Sequence, residues 1–229
     1  MSAPSAAVIV LAKAPEPGRV KTRLCPPATP AEAADLAAAA LLDTLDAAAG
    51  VPGAQPVVAL TGRLAGAVRR AELAAALRGF RVVPQRGAAL GERIAAAHAD
   101  TAALFAGCPT LQIGMDTPQA GAGLLAACLD RLRAPGTDGV LGLATDGGWW
   151  ALGLRDPYAA RLVAGVPTSR DDTGERTLRA LRDGGLRIGL LPELTDVDTA
   201  ADARAVADAA PGGRFAAAVE RCPAFELAS

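Results

Sequence analysis

The feature that most constrains the fold is an alternation of short, continuous apolar runs with stretches of helical length. The run Ala6-Ala7-Val8-Ile9-Val10-Leu11-Ala12 has no polar residue breaking it, so it suits a strand buried on both faces. Further strands are expected at 55–61, 80–83, 110–114, 139–144, 149–154 and 186–191. Helices are expected at 30–49, 64–78, 90–105, from near 118 to 133, 173–182 and 199–209. Strands alternating with helices of this length predict an α/β fold, a three-layer sandwich around a mostly parallel sheet. Such sheets bind ligands beyond the carboxyl ends of their strands. No internal repeat or linker divides the chain, which is expected to form one domain over 1–229; its tail, 211–229, has little pattern and is expected only to pack or fray.

Composition narrows the function classes. With 23 Lys+Arg against 24 Asp+Glu, the net charge of −1 provides no field to hold a polyanion. This argues against nucleic acid as a partner and leaves phosphate recognition to local groups. Cys25, Cys108, Cys128 and Cys222 form no C-x-x-C pair, and His98 is the only histidine, set among alanines within a predicted helix where a structural role is expected. No uncharged stretch reaches transmembrane length and no basic segment precedes an apolar run at the start, so a cytoplasmic protein with reduced thiols is expected. Only 3% of residues are aromatic, and Ala-rich stretches such as 31–40 favour small-residue helix packing.

Five segments carry chemistry. After the first strand, prolines and Gly18 forbid regular structure while Lys13, Arg19, Lys21 and Arg23 crowd one loop. Four cations at a strand's carboxyl end suit a diphosphate or triphosphate, with Gly18 letting the backbone approach; a solvated charge run is the alternative. The loop lacks the G-x-x-x-x-G-K-[ST] spacing of a P-loop and the G-x-G-x-x-G dinucleotide fingerprint. In Gly114-Met115-Asp116-Thr117-Pro118, a buried strand delivers a carboxylate that can either hold Mg²⁺ or Mn²⁺ or cap the next helix. The same two readings apply to Asp198, with Thr199 as the other possible cap. In Asp146-Gly147-Gly148-Trp149-Trp150, the acidic turn and Trp pair suggest an apolar wall for a sugar or base, against core packing as the plainer account. The Gly-rich stretch from Gln85 to Arg93 reads as a base- or ribose-contacting loop or as an ordinary strand-to-helix connection.

Together these segments resemble a bacterial family of GT-A-type glycosyltransferases related to nucleotide-diphospho-sugar transferases. The resemblance is carried by Ala12-Lys13-Ala14-Pro15 with the segment from Pro17 to Leu24, then Leu90-Gly91-Glu92-Arg93, the Gly114 to Pro118 stretch, Asp146-Gly147-Gly148-Trp149, and Asp196-Val197-Asp198-Thr199. It implies a Rossmann-like GT-A fold, with a nucleotide-binding half over about 1–118 and an acceptor-binding half over about 119–210. It further implies that Lys13, Gly18, Lys21 and Arg23 serve the nucleotide phosphates, that Asp116 and Asp198 hold Mg²⁺ or Mn²⁺, and that Asp146 faces the reacting sugar or acceptor; Ala12, Gln85, Glu92 and Arg93 are also expected at the nucleotide, and Gly147, Gly148 and Trp149 at the substrate. Thr117 stands where the family commonly has Cys or another small residue. The stretch from Pro167 to Asp171 stands where it often has an aromatic ring with Ser-Thr-Pro.

The expected chemistry is metal-dependent glycosyl transfer from a nucleotide-diphospho-sugar to a small-molecule acceptor. Asp116 would act at the metal, and Asp146 and Asp171 are the candidates for general base. A second expectation is nucleotidyl transfer from a nucleoside triphosphate to a phosphorylated small molecule, with pyrophosphate leaving. A third is a noncatalytic nucleotide-binding protein on the same fold.

Overall fold

The structure, a computed structural model, describes residues 4–226. Its seven described strands form one sheet: β1 (Ala6–Lys13), β2 (Ala54–Thr61), β3 (Arg81–Pro84), β4 (Thr110–Gly114), β5 (Gly139–Leu143), β6 (Trp149–Leu154) and β7 (Ile188–Leu190), in the order β3-β2-β1-β4-β6-β5-β7. Every pairing is parallel except those of β6 with β4 and β5. The reversal arises because β5 and β6 form a hairpin through the Thr145–Gly148 turn. It brings the first residue of β6, Trp149, to the edge where the parallel strands end. Strand order reverses direction between β1 and β4, so the switch-point crevice opens beyond Lys13 and Gly114.

The helices sandwich this sheet. Helices α1 (Pro30–Ala49) and α4 (Ala122–Arg133) cover one face, where Leu41, Leu45, Leu125 and Leu129 meet Val8, Val10, Leu111 and Ile113. Helix α1 starts with Thr29 accepting from the Glu32 N–H while Glu32 accepts from the Thr29 N–H, a reciprocal cap with Pro30 at the first turn. Helix α3 (Leu90–Leu104), the 3-10 segment Pro157–Val163 and α5 (Thr173–Asp183) cover the other face through Ile94, Ala97, Val163 and Leu181. Gly91 is required there, since a Cβ would stand 2.4 Å from the Val163 carbonyl oxygen.

One expectation about elements is corrected, and for the tail the structure selects packing, one of the two outcomes expected. The helix expected over 64–78 is broken into a 3-10 turn, a short α2 (Arg70–Ala76) and a second 3-10 turn. The break is at Arg69, whose φ of 51° is held by a two-pronged ion pair with Asp35 of α1, both bonds 2.6 Å. The tail does not simply fray. After α6 (Ala200–Ala209), the chain forms α7 (Arg214–Glu220) and α8 (Pro223–Glu226), and Phe215, Val219 and Phe225 bury against Leu36 and Ala40 of α1. The last residues of that expected tail, 227–229, lie outside the described residues.

Candidate functional site

The parallel strands deliver their connecting loops to one cleft of about 710 Å³. The β1 loop is folded back by hydrogen bonds from the Ala14 N–H to Thr61 and from the Val68 N–H to Pro15. It then turns through Lys21, which adopts a left-handed conformation (φ 47°) that few non-glycine residues take. This turn aims the Lys21 ammonium at two carboxylates, 3.0 Å from Asp116 Oδ2 and 3.3 Å from Asp198 Oδ1. Burial on its own pushes the Lys21 ammonium down, but Asp116 and Asp198 outweigh it and hold the pKa above its ordinary value. Arg23 reaches Asp198 Oδ2 at 2.8 Å from the more exposed side.

The two acids converge for a local reason. The Val197 N–H donates to the Asp116 carbonyl at 3.1 Å, and Gln119 Nε2 donates to the Thr195 carbonyl at 2.7 Å, which ties the 195–198 loop to the end of β4. Neither acid caps a helix. Helix α4 starts only at Ala122, after Gly121, and α6 is capped by Thr199 and Asp202 acting reciprocally. Asp116 and Asp198 are thus hard oxygen donors facing one cationic point, a donor set that suits Mg²⁺ or Mn²⁺ completed by substrate phosphates and water. Among the described residues no group of three or more His, Cys, Asp or Glu has the arrangement of a complete protein metal cage.

Asp196 was not singled out by sequence, because it shares a strand-end motif with Asp198 that also resembles capping chemistry. It lines the same cleft, with Oδ1 buried and lacking a hydrogen-bond partner. Burial, then the negative charge of Asp116, push its carboxyl up to about 7. Its place in the same short loop as Asp198, two residues before it, is the signal that could have found it.

Beside the 195–198 loop, to which Thr145 is tied by its hydroxyl 3.2 Å from that of Thr195, Asp146 accepts from the Gly148 N–H at 2.8 Å and lines the cleft with Asp171. The two are brought together through Gly147 (φ +85°), where a Cβ would fall 1.8 Å from the Asp171 carbonyl oxygen, and through the Gly174 N–H donating to the Gly147 carbonyl. Gly147 therefore lies beneath the wall, whereas Gly148 and Trp149 line it. A register shift in the β5–β6 ladder at Gly142/Leu143 separates the tryptophans. Trp149 joins the α3 side, while Trp150 joins the α1 side and donates to the Pro192 carbonyl at 2.9 Å.

The remaining sequence-derived residues divide. Ala12, Lys13, Arg23, Gln85 and Arg93 line the cleft; Gly18, Lys21 and Glu92 do not. Lys21 instead lines an adjoining cavity of about 270 Å³ with Lys13, Arg19 and Arg23. Gln85 Nε2 donates to the Ala12 and Ala59 carbonyls, holding the ends of β1 and β2. Glu92 accepts from the Ala88 and Ala89 N–H groups at the start of α3, and Arg93 donates to the Gly87 and Ala88 carbonyls. His98 is buried, with Nδ1 2.7 Å from Thr110 Oγ1, and burial lowers its pKa to about 3.

A family model described as an uncharacterized protein conserved in bacteria (DUF2064) matches residues 44–170. No curated protein matches the chain. A protein of Desulfovibrio desulfuricans G20, provisionally described as a nucleotide-diphospho-sugar transferase, superposes with a TM-score of 0.78 at 26% identity, over 98% of this chain and 94% of its own. A cytidylyltransferase of Leptospira borgpetersenii serovar Hardjo-bovis (strain JB197) gives 0.59 at 12% identity, over 94% and 92%. The mannosyltransferase PcManGT of Pyrobaculum calidifontis, solved with GDP-Man and Mn²⁺, gives 0.50 at 16% identity, over 97% and 67%. The latter two share the fold alone. The expected α/β sandwich and the expected kinship with nucleotide-diphospho-sugar transferases are both borne out. No helix among the described residues is long and apolar enough to cross a membrane.

Proposed function

The chain belongs to the DUF2064 family of bacterial proteins, and from that premise we propose that its cleft is a metal-dependent glycosyltransferase site. The donor is a nucleotide-diphospho-sugar and the acceptor a small molecule. The observation that best supports this reading is the convergence of Asp116 and Asp198 on one cationic point at the switch-point crevice. It agrees with what the relatives' names say of them, a nucleotide-diphospho-sugar transferase and a mannosyltransferase with GDP-Man and Mn²⁺.

In this reading residues about 1–118 hold the nucleotide and about 119–210 the acceptor. Asp116 and Asp198 hold a divalent cation, which when bound neutralises charge on the leaving diphosphate. Lys21, Lys13 and Arg23 donate to the same phosphates, with Lys21 turning from the acid pair toward the incoming anion. Asp146 or Asp171 accepts the proton of the attacking acceptor group, since both line the same cleft as Asp116 and Asp198. Trp149 offers a flat apolar surface to the ring being transferred or to the acceptor.

A second reading, nucleotidyl transfer, is favoured by one observation: the adjoining cavity, where the four cations Lys13, Arg19, Lys21 and Arg23 outnumber the two acids Asp116 and Asp198, gives a recess for a further phosphate. Incubation with UDP-, GDP- and TDP-sugars, or with nucleoside triphosphates and sugar phosphates, each with and without Mn²⁺, separates the readings by product. Nucleoside diphosphate released from a nucleotide sugar supports glycosyl transfer. Pyrophosphate released from a triphosphate overturns it in favour of the second reading. Binding without turnover across a broad acceptor panel would leave a nucleotide-binding protein.

A further inference from the structure

On the α3 side of the sheet, β4 carries two buried polar residues in one row, and they are treated differently. Thr110 is paired with His98 at 2.7 Å. Gln112, one pleat nearer the cleft and only 2% exposed, has its Oε1 fully enclosed and without a hydrogen-bond partner among the described residues. An amide oxygen on a central strand without a partner is costly, and an apolar side chain of similar size would avoid that cost.

The surroundings of Gln112 indicate what would satisfy it. It lines the cleft, and the next residue in the row is Gly114, where a Cβ would meet nothing closer than 3.8 Å. The space beside it is walled by apolar side chains: Leu11 from β1, Leu90 and Ile94 from the first turns of α3, and Trp149 from the register shift in β6. Leu90 is 42% exposed, so this apolar wall continues to the cleft mouth. A ligand suited to the recess combines an apolar flat face for Trp149 with a hydroxyl for the Gln112 amide. Pyranose rings have this pairing, with C–H bonds on their faces and hydroxyls at their rims.

We infer that Gln112, Trp149 and the Leu11–Ile94 wall form a sugar-ring subsite in which the Gln112 amide selects a ring hydroxyl. This rests on the glycosyltransferase reading and adds the chemical class bound and the residue that discriminates it. The ring can belong to the donor or to the acceptor, and the recognition is the same for both.

The test uses the full-length protein and free methyl glycosides of glucose, mannose and galactose, with cyclohexanol as a control lacking the ring of hydroxyls. Saturation-transfer NMR is expected to show binding of at least one glycoside and weaker binding of cyclohexanol. Gln112→Leu should weaken that glycoside about tenfold, the loss of one well-made hydrogen bond, while leaving the melting temperature unchanged or higher. Trp149→Ala should weaken it as well. Displacement of the glycoside by a nucleotide sugar but not by the matching nucleoside diphosphate assigns the ring to the donor, and simultaneous binding assigns it to the acceptor; both support the subsite. Absence of glycoside binding to the wild type overturns the proposal, as does a melting temperature lowered by Gln112→Leu, which would make the amide structural. Release of nucleoside diphosphate from a nucleotide sugar, measured on the same preparation, separately decides the glycosyltransferase reading, so the two failures are distinguishable.

Discussion

On the face covered by α1 and α4, the strands present Val8, Val10, Leu111, Ile113 and Val140, all wholly buried and all apolar. On the face covered by α3, the same strands present Ala7, Ile9 and Leu141 together with the polar Thr110 and Gln112, with His98 packed against Thr110 from the helix. The first face is apolar at these strand positions; its Cys128 thiol, on α4, is pushed up to about 11 by burial, and its Trp150 N–H is already paired with the Pro192 carbonyl. The second accepts buried polar groups whose desolvation must be met by a partner or carried as a cost of about 1–3 kcal/mol each. Packing alone accounts for one face, while the other has the composition of a surface adapted to a ligand.

The contrast predicts where substitutions act. Leu45→Ala, beneath α1, should lower stability by about 2–5 kcal/mol, as other large-to-small core changes do, and leave nucleotide affinity per folded molecule unchanged. Calorimetric melting alongside nucleotide titration checks this, and a large loss of affinity would show that the two faces are not separable. Lys21→Met, in the cavity adjoining the cleft, should act oppositely. It leaves Asp116 and Asp198 facing each other without their ammonium, so Mn²⁺ should raise the melting temperature of the variant more than that of the wild type. An equal rise in both would mean that Lys21 and the cation do not share the acid pair.

Two smaller effects concern pH and have opposite signs. Asp196 has a carboxyl raised to about 7 from 3.8, with Lys21, Asp116, Asp146 and Asp198 as its charged neighbours. The folded protein therefore holds a proton there that the unfolded chain has released, and stability contributed by this group falls as pH rises from about 4 to 7. Asp196→Asn should flatten that slope and raise the melting temperature by a few degrees near neutrality. His98 is lowered to about 3 from 6.5, so the unfolded chain takes the proton first and stability is lost as pH falls from about 6.5 toward 3. His98→Gln should reduce this acid loss. Urea unfolding midpoints between pH 3 and 8 would resolve both, and parallel profiles for variant and wild type would contradict them.

The packed face was also the legible one. The uninterrupted run of β1 and the reciprocal cap of Thr29 and Glu32 are local signals, and the structure places β1 and α1 where they point. The failures came where a distant residue decides. The helix expected over 64–78 breaks because Arg69 is drawn to Asp35, and α7 is stable because Phe215 and Val219 find α1, not because its seven residues favour a helix. In the cleft, residue types and strand-end positions marked Asp116, Asp146 and Asp198, but their spatial relation depends on long-range bonds such as Val197 N–H to the Asp116 carbonyl. Gln112 was invisible to sequence, since a single Gln in an apolar strand carries no sign of whether its amide finds a partner.

The central claim is that Asp116 and Asp198 hold one cation. A double-mutant cycle on Mn²⁺ affinity, with a nucleoside diphosphate present, tests it most directly: Asp116→Asn, Asp198→Asn and the pair together. If the two carboxylates share a cation, either single change should remove most of the affinity and the double change should add little. Losses that simply sum, or singles that bind Mn²⁺ as the wild type does, would contradict the account.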